Sequence, residues 1–565
     1  NCMPFLSSLA KEGAVFDRAF ATANLCAPSR AGILTGCFQQ QWGAYSNKDI
    51  DDHGIPDDRA VLAEPLKAAG YRCGVIGKWH VGPKQDSLKE KVWVEQMGET
   101  LPIPGGYKGR WKEMRPLLEK NGYSSSVAEG HHPFDRGFDY YFGYNSHGDK
   151  YYESETLWEG WDRVPKRPAG EFLTDLFNEK ACGFIEASLK EKKPFFLYYA
   201  PKTLHGAILP PPEHYASKFD TGIKFSNDYA GHLLALDEGI RQIYQTLEKQ
   251  GQAENTLFIL SCDNGCVNYN VPPHNAPNRG GKGTGWLGGI NVPLIMYKPH
   301  FVKPGLRDGI VSLADIMPTI LEMAGLPLPD GIDGRSLVPY LNGSVKQGPR
   351  QSLVSCGLHA SDWSWFYEGN GERNQQDRRK APLYALRIED DKVLMHITET
   401  KAGLYNSLPD GIPARTMFYD LSADRHQLKD VSGSYPEQVG RFDAAIIQWL
   451  SSMETPISSQ QQDYHELMNE PYSGNTPAKK EVTQPKKKKS VAPKKEQAGN
   501  SNTPPSIDLN GDGKISFEEF CALKVRHGEA RGKPFKDELV SNLFTRKDTD
   551  QDGFLSFREL ATNPD

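Results

Sequence analysis

Four short, mostly apolar runs, at 71–77, 194–200, 256–260 and 294–297, do most to limit what this chain can fold into. Each is bounded by glycine, proline or polar residues, which is how strands buried on both faces read. The segments 62–69, 171–189 and 315–324 carry apolar residues at helical spacing, and Gly70 and Gly325 supply stops. Strands alternating with helices predict an α/β fold around an open, parallel sheet, whose ligands gather at the carboxyl ends of the strands. Reactive side chains fall at those ends. Lys78 and His80 follow the first run, His205 the second, Asp263 and Asn264 the third. Taken alone, Lys-x-His also describes a solvated loop, and Asp-Asn-Gly an ordinary turn.

The stretch 25–36 adds a sulfur. Pro28 is expected at the first helical position and Gly36 at the stop. Free N–H groups and the helix dipole then favour anionic chemistry at Cys26, and Arg30 adds a donor fork. A cysteine buried near a helix start describes the same residues.

At 565 residues the chain exceeds what one core usually fills, so more than one domain is expected. With 66 basic against 72 acidic residues, global charge gives no reason to expect a nucleic-acid partner, and any anion site must be local. Nine cysteines are too few for a disulfide-built scaffold, and Cys262 with Cys266 makes poor zinc evidence. No run reaches the apolar length of a membrane span. The opening Asn1-Cys2-Met3-Pro4 has neither an initiator methionine nor a secretory signal, so processing or truncation of an upstream segment is expected.

Cys26-Ala27-Pro28-Ser29-Arg30 followed by Ala31-Gly32-Ile33-Leu34-Thr35-Gly36 resembles the signature of the formylglycine-dependent sulfatases of the alkaline phosphatase superfamily. The stretch 77–82, Gly-Lys-Trp-His-Val-Gly, is similar to that family's second signature. The segment 200–212 resembles its loop bearing an active-site histidine. Asp263-Asn264-Gly265 looks like its second metal motif, and 330–342 like the close of its catalytic domain. The resemblance covers roughly residues 1–455. It departs at Leu287 and Asn291, where family members usually carry Glu and Arg. It departs also in lacking the leading strand whose two adjacent aspartates hold the metal.

This resemblance implies an alkaline-phosphatase-like sheet sandwiched by helices, then a small α+β subdomain. It implies that Cys26, oxidised to formylglycine by a formylglycine-generating enzyme, is the nucleophile, positioned by Arg30. Asp263 and Asn264, with the Cys26 group, would hold calcium. Lys78 and Lys282 would neutralise developing charge and, with His205, bind the sulfate. His205, with Lys282, would protonate the leaving oxygen, and His80 would deprotonate the hydrate. The implied substrate is a sulfated carbohydrate or aryl sulfate ester, and the implied location secreted or periplasmic. Two alternatives stand beside it: a phosphodiester or phosphonate ester hydrolase of the same superfamily, and a non-catalytic calcium-binding protein.

The expected organisation is a catalytic domain at 1–345, a subdomain at 346–470, a Lys/Pro-rich linker at 471–505 and a calcium module at 506–565. The irregular, aromatic-rich stretch 83–170 suits either sugar or aryl recognition or packing on the core. In the subdomain, runs 384–388 and 392–396 around Glu389-Asp390-Asp391 read as a hairpin, and His359 and Trp363 are candidates for substrate contact. Beyond the linker, Asp508, Asn510, Asp512, Lys514, Ser516 and Glu519 match the EF-hand loop position by position, as do Asp548, Asp550, Asp552, Phe554, Ser556 and Glu559. Ile515 and Leu555, each eighth in its loop, are expected to pair across the two loops.

Overall fold

The computed structural model describes residues 1–83, 127–128, 130–146, 150–152, 154, 156–165, 167–206, 208–266, 275–358, 383–398, 415–455, 514–516 and 554–556. The chain divides into two units, one holding the described residues up to 455 and the other the two short strands near the C-terminus.

The first unit opens with α1 (Pro4–Glu12), then β1 (Ala14–Phe16), β2 (Ala19–Phe20) and α2 (Cys26–Thr35). There follow α3 (Asn47–His53), α4 (Ala63–Ala68), β3 (Arg72–Lys78), β4 (Tyr140–Tyr144), β5 (Trp158–Glu159), β6 (Asp162–Arg163), α5 (Leu173–Lys190), β7 (Phe195–Ala200) and α6 (Lys224–Lys249). The unit continues through β8 (Phe258–Ser261), β9 (Leu294–Tyr297), β10 (Gly305–Arg307), β11 (Val311–Ser312) and α7 (Ile316–Met323).

One sheet runs β6-β5-β4-β3-β7, with β4, β3 and β7 parallel. Its strands alternate their cores as the pleat requires. Cys73, Val75 and Tyr141 pack with Leu34 of α2 and Leu66 of α4, whereas Ile76, Phe142 and Tyr144 pack with Phe177 and Phe184 of α5. Helices therefore cover both faces, and the carboxyl ends of β3, β4 and β7 share one rim.

The second sheet, β10-β1-β9-β8, corrects the expectation of a parallel arrangement. The run at 294–297 lies antiparallel to both β1 and β8. Parallel return needs a crossover of about a dozen residues, usually a helix. The helix described between β8 and β9 is only Leu287–Ile290. Ahead of the Cys26 stretch lie the short strands β1 and β2, and Val311 pairs with Ala19. Two elements with no clear reading in sequence, β4 and the 26-residue α6, complete the α/β layers.

Farther on, β12 (Ser352–Leu358), β13 (Leu383–Glu389), β14 (Lys392–Thr398) and β15 (Arg415–Asp420) form an antiparallel sheet backed by α8 (Pro436–Ser451). The expected hairpin is present, with Glu389 opposite Lys392. This sheet is not separate from the rest: Leu353, Leu386 and Met395 share a core with Phe20 and Trp286. His359, Trp363, the linker and most of the stretch 83–126 lie outside the described residues.

In the second unit β16 (Lys514–Ser516) pairs antiparallel with β17 (Phe554–Ser556), and Ile515 stands opposite Leu555, as the two loop sequences require. The loop ligands Asp508, Asn510, Asp512, Glu519, Asp548, Asp550, Asp552 and Glu559 lie outside the described residues. Among the described residues no helix is long and apolar enough to cross a membrane.

Candidate active site

Cys26 is itself the first residue of α2, so the helix begins ahead of the proline that was expected to open it. Leu25 is extended, with φ −133° and ψ 155°, and its carbonyl accepts the Ser29 N–H, so the helix is already turning at Cys26. Pro28 falls inside the first turn, where its missing N–H costs nothing. Gly36 closes the helix at φ 66°, as expected. The Ala27 N–H donates to Asn47 Oδ1 at 3.0 Å, which settles one of the helix's unpaired donors.

Around the thiol stand three cations, Arg30 from the same helix and Lys78 and Lys282 from distant parts of the chain. Lys282 Nζ donates to Cys26 Sγ at 2.9 Å. Its loop is held against the approach to α2, since the Gly283 N–H donates to the Asn24 carbonyl. Arg30 points its Nε to Asp263 Oδ2 at 2.8 Å and its Nη1 to the Lys78 carbonyl at 2.7 Å. One guanidinium thus ties α2 to the ends of β3 and β8. Tyr198 of β7 lies 3.4 Å from the same nitrogen. Lys78 Nζ is buried and makes no hydrogen bond among the described residues.

Electrostatics follow from this crowding. Burial lowers the Lys78 pKa most, to about 8, with Cys26 and Asp263 opposing and Arg30 and Lys282 assisting. Burial alone would raise the Cys26 thiol, yet Lys78, Lys282 and Arg30 outweigh it and Asp263, leaving the pKa below its usual value. Asp263 is likewise opposed by burial, and Arg30, Lys78 and Lys282 hold its carboxyl far below the usual carboxylate range. A site with this balance suits a tetrahedral anion locally, in a chain whose net charge is negative.

His205 belongs to the same centre. Burial, then Lys282 and Lys78, push its pKa down to about 3. Its Nδ1 lies 2.8 Å from the Gly206 carbonyl, so the neutral ring donates there and presents Nε2 as an acceptor. A neutral ring is not the ready proton donor expected from the sequence. His80 follows the end of β3 at φ 60°, its N–H donating to the Asn145 carbonyl and its Nε2 3.7 Å from Asp51 Oδ1.

Asp263 and Asn264 partly fit a hard cation. Asn264 Oδ1 is buried without a hydrogen-bond partner among the described residues, its amide donating to the Gly265 carbonyl, and it neighbours an ionised carboxylate. Calcium takes about six to eight oxygens. Among the described residues no group of three or more His, Cys, Asp or Glu side chains forms a fuller set. The two residues can therefore supply only part of such a site.

Sequence reasoning missed Asn47, Asp51 and Tyr198. Asn47 and Asp51 sit in a polar stretch, 47–53, with no motif to mark them, and Tyr198 was absorbed into an apolar strand.

The architecture and the ringed thiol define an α/β protein whose cation-lined centre suits an anionic ester. Residues 1–326 match the family described as Sulfatase, and the chain belongs to the sulfatase family. It is a sulfuric ester hydrolase by class. Residues 506–523 match the family described as EF hand. The chain is 27% identical over 482 residues to the uncharacterized sulfatase YdeN of Escherichia coli K12, covering 81% of this chain and 78% of that one. It is 27% identical over 401 residues to N-acetylgalactosamine-6-sulfatase of Mus musculus, covering 64% and 67%. Among solved structures, Ps i-CgsB in complex with k-i-k-neocarrahexaose shares the fold with a TM-score of 0.63 at 21% identity, covering 83% of this chain and 92% of that one.

Proposed function

We propose that this protein hydrolyses a sulfate ester on a saccharide, with formylglycine derived from Cys26 as nucleophile and a calcium ion bound by Asp263 and Asn264. The observation that carries the reading is the convergence of Lys282, Arg30 and Lys78 around one sulfur at a helix start. A saccharide substrate is supported by the relative named N-acetylgalactosamine-6-sulfatase.

Formylglycine at position 26 would supply, as its hydrate, an oxygen nucleophile at the start of α2 and a second hydroxyl through which sulfate could be released. Lys78 and Lys282 bind the sulfate oxygens and offset charge developing on them. Arg30, clamped by Asp263 and the Lys78 carbonyl, fixes the distance between α2 and β3. His80 takes a proton at the rim of β3. His205 is neutral before substrate arrives, so its part in leaving-group protonation depends on the bound anion raising its pKa; otherwise Lys282 is the donor. Asp263 and Asn264 would give two hard oxygens to a calcium ion, which when bound would supply Lewis-acid polarisation of the ester.

Maturation then requires a formylglycine-generating enzyme, and the working compartment is secreted or periplasmic. The EF-hand segment binds calcium apart from this chemistry, each loop supplying its carboxylates. Two measurements test the whole. Mass spectrometry of the tryptic peptide spanning Cys26 should find a residue in which an oxygen has replaced the sulfur and two hydrogens, in a host that has the converting enzyme. A panel of defined sulfated saccharides should release sulfate with the wild type and not with Cys26→Ala. An unmodified cysteine with no sulfate release defeats the proposal.

A further inference from the structure

One short helix touches both halves of the reaction centre. The Ser46 and Asp49 capping box starts α3, buried Ile50 anchors it in the core under α2, and Gly54 ends it at φ 70°. Just past its end, the Ile55 N–H donates to the Val81 carbonyl, next to His80. Residues four apart on a helix share a face, and Asn47 and Asp51 are four apart. Asn47 Oδ1 accepts the Ala27 N–H at 3.0 Å, beside the nucleophile position. Asp51 Oδ1 lies 3.7 Å from Nε2 of His80, whose side chain is 4% exposed.

We propose that Asn47 and Asp51 are positioning residues that make α3 a brace, fixing the start of the Cys26 helix and the ring of His80 in one geometry. A carboxylate facing Nε2 keeps the ring proton on that nitrogen and leaves the Nδ1 lone pair to accept a proton. The 3.7 Å separation is loose for a hydrogen bond, as catalytic contacts commonly are before substrate binds. Asn47 keeps the first turn of α2 from fraying, so the nucleophile and its base hold a constant separation through both stages of turnover. The inference rests on the sulfatase reading for the role of His80.

The test has two arms on the full chain. In the first, Asp51→Ala and Asp51→Asn are compared with wild type on 4-nitrophenyl sulfate and on any saccharide sulfate that the wild type cleaves. For Asp51→Ala, kcat should fall roughly 10- to 100-fold with KM within about twofold and the melting temperature unchanged, and Asp51→Asn should recover part of the loss by keeping an acceptor oxygen. Asn47→Ala should lower kcat in the same way, with Asn47→Asp restoring it. Equal kcat in folded Asp51→Ala and wild type overturns the proposal. In the second arm, 15N NMR of the His80 ring, assigned by loss of its signals in His80→Gln, is recorded on protein with unconverted Cys26. Wild type should carry its proton on Nε2, and Asp51→Ala should redistribute it; identical tautomers overturn the proposal. If the wild type cleaves no ester, the hydrolase reading fails, while the second arm still decides the Asp51 to His80 contact.

Discussion

Lys282 Nζ and Cys26 Sγ lie 2.9 Å apart although 256 positions separate them in the chain. A partly buried ammonium beside a sulfur at a helix start is placed to meet an anion that forms there. Removing it while keeping the side chain's bulk, as in Lys282→Met, should lower kcat/KM about 100- to 1,000-fold, the range seen when one preorganised donor to a transition-state oxygen is lost. Steady-state kinetics on the best ester from the panel checks this. A loss below tenfold would mean that Lys78 and Arg30 carry the charge without it.

Arg30 ties three strands to one helix, so its replacement has a structural cost as well as a kinetic one. Its guanidinium spans Asp263, the Lys78 carbonyl and Tyr198, a set that one ammonium cannot reproduce. Arg30→Ala leaves the half-buried Asp263 carboxylate without its closest partner and should destabilise the fold by about 2–3 kcal/mol. Arg30→Lys keeps the charge and should lose less stability while still losing activity. Urea denaturation of the three proteins, followed by fluorescence, gives the ordering.

Much of this centre was legible because its residues stand where short apolar runs end. Lys78, His205, Asp263 and Asn264 each follow such a run, and the fold brings those ends to the residues around Cys26 and Lys282. What could not be read was pairing. Nothing in the apolar run at 294–297 tells which way it lies beside β1, because direction depends on the connection and not on side-chain pattern. The strand β4, Tyr140–Tyr144, hid among aromatics that suited a loop equally well. Asp51 was invisible for a similar reason: a carboxylate on a short polar helix looks solvated until the fold sets His80 against it. The EF-hand loops were the opposite case, since their ligand order lies within one continuous segment, and the pairing of Ile515 with Leu555 followed from it.

His205 makes stability depend on pH in a direction that can be worked out. Its folded pKa is depressed, mainly by burial and then by Lys282 and Lys78, to about 3, against about 6.5 unfolded. Between those values the unfolded chain binds the extra proton, so this histidine's contribution is whole above about pH 6.5 and is lost as pH falls toward 3. His205→Gln cannot take up that proton. The melting temperature of wild type minus that of His205→Gln should therefore be smaller at pH 5 than at pH 7.5, by a few degrees. An unchanged difference would show that the ring is already charged or exposed in the folded protein.

Calcium should bind at two chemically different kinds of place. In the EF-hand sequence Glu519 and Glu559 each stand at the twelfth position, which can give both carboxylate oxygens to the ion. The double variant Glu519→Gln, Glu559→Gln should lose up to one ion per loop, measured by equilibrium dialysis of the full chain. Asp263→Asn should remove a different ion, and its loss should carry activity with it. If the two sets of substitutions compete for the same bound calcium, the assignment of Asp263 and Asn264 is wrong.

The rim itself depends on a residue without a side chain. Gly77, one position before Lys78, has φ 112°, and a Cβ there would stand 2.0 Å from the Ala200 carbonyl oxygen on β7. Two penalties add: a backbone conformation that L residues rarely adopt, and a clash with a neighbouring strand that cannot move without breaking its register to β3. Gly77→Ala should therefore destabilise the protein by about 3 kcal/mol or more. It should also shift the ends of β3 and β7 apart, moving Lys78 and His205 away from Cys26. Gly170→Ala, at φ 83° but with open space around it, separates the two causes, because it keeps the strain and omits the clash. Denaturation curves of both variants should place Gly170→Ala close to wild type and Gly77→Ala far below it. Equal losses would mean that the backbone angle alone, and not the tight approach of β3 to β7, fixes a glycine beside Lys78.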